Sequence, residues 1–323
     1  MGPATTEDRP TATPGAPWRR AAGDGVFKWL TLLMALSVIA LIFILGCELA
    51  RGSQPALRQF GWRFLTSADW DPVNERFGAL PFIFGTVVSS VIALVIAVPL
   101  SIGTAVYLTE LAPQWLRPAL TLFIELLAAV PSVILGLWGI FVMVPWLREH
   151  LFPWLRAAFG FLPLFQGPSY GVSMLAGGVI IAIMVLPIIT SVSREILRSV
   201  PGSQREAAYA LGATRWEATR VAVLSYARRG LFGAVILGLG RALGETIAVT
   251  MVIGNRPEIA ASLFAPGYTL ASVVANEFTE TPPGVHLEAL FGIGLVLLGI
   301  TLAVNSLARL LLATFSRPAI LAS

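Results

Sequence analysis

The chain has one lysine, one cysteine and two histidines in 323 residues, and only 12% of its residues are charged. Each scarcity excludes a chemistry. Lys28 follows Phe27, so the Gly-Lys-Ser/Thr run of a phosphate-cradling P-loop is absent and ATP cannot be held that way. Cys47 alone can form neither an internal disulfide nor a cysteine-rich zinc site. His150 and His286 stand far apart, outside any HExxH setting, so neither a metal nor a hydrolytic centre is expected. A soluble domain carries about 25% charged residues, so a soluble globular protein is excluded; the 56% hydrophobic content excludes a disordered one. The net charge of +4 does not mark nucleic-acid binding, because most basic residues flank apolar runs instead of clustering on a polar face.

What remains is apolar length. A bilayer core of about 30 Å needs about 20 apolar residues in a helix. Six stretches answer, at 29–47, within 79–109, and at about 119–144, 171–193, 230–254 and 289–308. The expected fold is therefore all-α: a polytopic membrane bundle of six transmembrane helices. Its parts are a flexible cytoplasmic tail (1–25), a first transmembrane helix (26–50), an outer loop (51–78), a permease-like core (79–313) with an inner loop at 194–229, and a second cytoplasmic tail (314–323). Placing both termini in the cytoplasm puts 14 basic residues inside and 7 outside, as the positive-inside rule requires. The first run is longer than the 7–15 residues of a signal peptide's apolar region and reads as a retained helix. Aromatic residues around Arg148, Glu149 and Arg156, with Pro153 as a breaker, predict a segment lying on the outer interface.

Two places carry polar groups in a telling pattern. In the inner loop, Ser203 and Glu206 have capping-box spacing, Gly212 is the expected stop, and Thr214 with Glu217 repeats the box. The resulting short helix presents the small residues Ala207 and Ala208. In the fifth run, Arg241 falls near mid-membrane, with Glu245 one helical turn on. An ionised side chain there costs about 2.5–3.5 kcal/mol and ordinarily faces a bundle interior or a wet path. Arg241 and Glu245 either neutralise each other and tie helices together, or line an anion path. A guanidinium fork suits the latter, since it matches two oxygens of a phosphate. Glu125, in the third run, either lines the path or pairs with an inner arginine. Gly240 and Gly244 form a small-xxx-small face suited to close helix packing, with a partner subunit as the candidate neighbour.

Glu206-Ala207-Ala208, three residues, then Gly212 resembles the EAA-x3-G motif of bacterial ABC importer permeases; the family's later I-x-L-P reads Ala222, Val223, Leu224, Ser225 here. The runs 238–255, 125–132, 136–139 and 269–278 resemble the PstC-type permeases of phosphate ABC importers. The resemblance implies a MetI-like fold and a non-enzymatic transport subunit in a bacterial inner membrane. It implies that Glu206, Ala207, Ala208 and Gly212 couple to an ATPase and that Arg241 and Glu245 serve the substrate path. It also implies a PstA-type second permease, two ATPase subunits that bind ATP and Mg, and an extracytoplasmic phosphate-binding protein. No cofactor is expected in this chain. Rival readings are a permease for another oxyanion such as sulfate, and an ion-driven secondary anion transporter.

Overall fold

The structure, a computed structural model, describes residues 17–315, and their side chains over 24–312. Of the expected tails, residues 1–16 and 316–323 lie outside the described residues. By its internal contacts the chain forms two units, residues 1–49 and 50–323. The first holds most of helix α1 (Pro17–Phe60), which begins within the stretch expected as a tail and is apolar enough to span from Asp24 onward.

The second unit contains, in order, α2 (Arg63–Thr66), the hairpin β1 (Trp70–Asp71) and β2 (Arg76–Phe77), α3 (Leu80–Leu111), α4 (Leu116–Ala129) and α5 (Ser132–Phe159). Then come α6 (Met174–Arg198), α7 (Gly202–Ala210), α8 (Arg215–Gly244), α9 (Ile247–Val252), α10 (Leu270–Glu277) and α11 (Val285–Phe315). Among the described residues, six helices are long and apolar enough to cross a membrane: α1, α3, α5, α6, α8 and α11.

Three sequence expectations change. The third span is not 119–144. Pro131 forces Val130 into an extended conformation (ψ 125°), which ends α4. At 14 residues α4 is too short to cross, and the span is α5. Nor does Pro153 split the outer aromatic stretch. A π-helical turn at Leu147–Leu151 precedes it, as Gly139–Met143 precedes Pro145, and this wider register absorbs prolines that cannot donate an i→i−4 hydrogen bond. The segment up to Phe159 therefore tops α5, and Phe152 stacks on Phe264 with ring centroids 4.7 Å apart. The fifth run is broken: α8 stops at Gly244 and α9 starts at Ile247.

Glycines set the closest approaches. A Cβ on Gly178 (α6) would fall 2.4 Å from Ile92 (α3), and one on Gly238 (α8) 2.5 Å from Ile189 (α6). Ser101 of α3 donates to the Leu186 carbonyl of α6 at 3.0 Å, so the two spans run side by side. Gly136 (α5) brings its backbone to α9, where a Cβ would meet Met251 at 2.6 Å. On the far side of the bundle from α7, Glu277 (α10) accepts from Trp70 of the hairpin, from the Tyr268 hydroxyl and, at 3.0 Å, shares a hydrogen bond with His286 of α11.

Candidate functional site: a broken helix with an arginine and a buried carboxylate

Arg241 sits in the last turn of α8, and Glu245 is the first residue beyond it. The break has a local cause. The Glu245 backbone is extended (φ −69°, ψ 126°), which ends α8. The Thr246 hydroxyl donates to the Gly244 carbonyl at 3.1 Å. Side chains that bond the adjacent backbone compete with a continuing helix, and apolar composition carries no trace of this competition.

The break lies at mid-depth. Arg241 lines a recess with Leu127, Ala128 and Val130 of the α4–α5 junction, Leu135 of α5, and Met184 and Ile188 of α6. Met184 and Ile188 fall on either side of the midpoint of the 25-residue α6. Non-helical backbone at that depth is tolerated only where protein covers it or it borders a water-filled cavity.

Glu245 is 9% exposed and is the only acidic or basic side chain among the buried described residues. The Arg241 side chain is 46% exposed, and its Nη2 lies 3.7 Å from Glu245 Oε2. That distance is an ion pair too long for a hydrogen bond. The carboxylate therefore balances the guanidinium's charge while leaving its fork of donors open to the recess. Both expected roles of the pair are compatible with this arrangement.

The other candidates fall in different places. Glu125 pairs with an inner arginine: its carboxylate lies 3.6 Å from Arg194 of α6, which also donates to Thr121 at 2.7 Å. Arg194 is thus inside the last turns of α6, and the inner loop proper begins after Arg198. Gly240 has only Asn305 at 3.8 Å from its ideal Cβ position, and Gly244 has no neighbour within 4 Å. Close helix approaches within the chain instead involve glycines such as Gly136, Gly178, Gly230 and Gly238.

Glu206, Ala207 and Ala208 lie on α7, with Glu206 and Ala207 exposed and Ala208 partly so. The helix starts from Pro201 without a side-chain cap, so the Ser203–Glu206 box does not form. It ends as expected. Gly212 adopts φ +84°, its N–H donates to Tyr209 O and that of Ala213 to Ala208 O, which is a Schellman ending. The Thr214–Glu217 capping box is present. Sequence reasoning passed over one feature of this loop, a bidentate pair between Arg205 and Glu110. Ninety-five residues separate them, so no local pattern could reveal it.

Residues 97–317 match the family of binding-protein-dependent transport system inner membrane components. The chain belongs to this family, and it is a multi-pass membrane permease. Among curated relatives, it is 46% identical over 298 residues to the phosphate transport system permease protein PstC of Mesorhizobium japonicum, covering 91% of both chains. It is 45% identical over 313 residues to PstC of Xylella fastidiosa, covering 95% of this chain and 96% of that one. Among solved structures it shares the fold of a bacterial ABC transporter involved in alginate import (TM-score 0.59, 15% identity, covering 92% of this chain and all of that one). It also shares that of the inward-facing MetNI methionine ABC transporter (TM-score 0.51, 18% identity, covering 74% of this chain and 95% of that one).

Proposed function

We propose that this chain is the permease subunit of an ATP-driven importer that moves inorganic phosphate into the cytoplasm. The observation that carries the reading is Arg241, half exposed at a mid-membrane helix break beside the buried Glu245. The names of the relatives point to the same anion. An incoming phosphate accepts hydrogen bonds from the open guanidinium fork and replaces Glu245 as its counter-charge. When the anion leaves, Glu245 again balances Arg241, so the empty path does not hold an uncompensated charge.

The chain has no P-loop, so ATP and Mg bind and react in separate ATPase subunits. We assign α7 as their docking point. None of its residues is fully buried, and it ends beside Leu211 (90% exposed) and Trp216 (60% exposed). Such a face fits a groove on another protein. Two ATPases, a PstA-type second permease and an extracytoplasmic phosphate-binding protein complete the machine, with both termini of this chain in the cytoplasm.

The test is radiolabelled phosphate uptake into vesicles holding the assembled complex, with and without internal ATP. Uptake that requires ATP and is not competed by sulfate is the expected result. Uptake that is independent of ATP and collapses with an uncoupler would overturn the reading in favour of an ion-driven carrier.

A further inference from the structure

α7 is rooted in the bundle by one guanidinium. Arg205 Nη2 donates to Glu110 Oε1 at 2.8 Å and Nε to Glu110 Oε2 at 3.3 Å. The same group donates to two main-chain carbonyls at the end of α6, Leu197 at 3.0 Å and Val200 at 2.8 Å. Glu110 belongs to the last turn of α3. One side chain of the short helix therefore grips the inner ends of two spans. The side chains are only 23% and 11% exposed, which shields the pair from salt and competing water.

We propose that Arg205 and Glu110 are a positioning pair that converts displacement of α7 into movement of α3 and α6, and so into a change at the Arg241 recess. The inference rests on the importer reading above. The geometry favours it for three reasons. α7 has no fully buried residue, so apolar packing contributes little to its anchoring. The contacts around the pair, among Ala105, Leu197, Val200, Val223 and Ala227, are apolar and carry little directional constraint. A bidentate guanidinium–carboxylate pair fixes orientation as well as distance, which a single point contact cannot. α6, the span so gripped, also supplies Met184 and Ile188 to the recess wall.

The experiment compares phosphate imported per ATP hydrolysed in proteoliposomes of the complete complex, for the wild type, Glu110→Gln, Arg205→Lys and the exchanged double variant Glu110→Arg with Arg205→Glu. Glu110→Gln should keep ATP hydrolysis but lower import per ATP by about tenfold, the scale of an ordinary coupling energy. The exchanged pair should recover part of that loss. An unchanged ratio in Glu110→Gln overturns the proposal. If Glu110→Gln does not assemble, Arg205→Lys decides: it keeps the charge but lacks the fork, and an unchanged ratio there overturns the proposal equally. A wild-type complex that hydrolyses ATP without importing phosphate would refute the importer reading itself, a different outcome from a variant that imports normally.

Discussion

Arg241 and Glu245 meet at 3.7 Å while the arginine stays half exposed, an arrangement with specific consequences for each residue. Arg241→Ala should abolish uptake while the complex still assembles, because the arginine has few packing duties and its removal leaves only one buried acid, which can take up a proton. Normal uptake would remove Arg241 from the path, and failure to assemble would assign it to helix attachment. Glycine positions make a sharper stability prediction. In Gly238→Val the first added carbon would sit 2.5 Å from Ile189, which is fully buried and cannot swing aside. Overpacking of that kind costs about 1–3 kcal/mol. It should appear as a lowered melting temperature of the purified protein in detergent, whereas Gly233→Val, where nothing lies within 4 Å of the added carbon, should leave the α6–α8 packing as it is.

Individual elements are held by local bonds whose failure can be followed separately. Gly212 takes a left-handed conformation to end α7, and Gly212→Ala should cost about 1 kcal/mol through that backbone strain alone. Faster amide exchange over residues 208–213, with the spans unchanged, would be the signature. In the hairpin, Asp71 accepts from the Asn74 side chain at 2.6 Å and from the backbone N–H groups of Asn74 and Val73. Foremost among these, the Asn74 side-chain bond holds the carboxyl below its ordinary value of 3.8. A lowered folded-state value means a contribution present above 3.8 and lost as the pH falls through the lowered one. Acidification should therefore loosen the turn at residues 71–75, and Asp71→Asn should make its amide protection factors, corrected for the intrinsic exchange rate, insensitive to pH in that window. The broken α8–α9 connection belongs to this scale too. Glu245 turns extended and the Thr246 hydroxyl bonds the Gly244 carbonyl, so a run apolar enough to read as one span is two helices.

For the whole molecule, the arrangement of spans predicts a sidedness. Leu211 at the tip of the α7 loop is 90% exposed. In a Cys47→Ser background, Leu211→Cys should react with a membrane-impermeant maleimide in inverted vesicles and not in right-side-out ones. Labelling from the outer side would reverse the proposed topology and remove α7 as an ATPase docking point. The same geometry links inner loop to mid-membrane site through α6, since the helix that Arg205 grips at its end also walls the recess at its centre.

The sequence by itself determined the class of molecule. Scarce charge and six long apolar runs leave a membrane bundle as the only way to bury so much surface, and helical hydrogen bonding is local enough to be read from composition. It also marked Arg241, Glu245 and the helix that carries Glu206 and stops at Gly212, because an ion in an apolar run and a stop glycine are signals within one stretch of chain. Tertiary structure decided everything that depends on a distant neighbour. It paired Glu125 with Arg194 and gave close packing to Gly136, Gly178, Gly230 and Gly238. It joined Arg205 to Glu110 across 95 residues. Such pairings arise from which spans lie side by side, and apolar periodicity is nearly the same for every span, so it carries no information about which helix becomes whose neighbour.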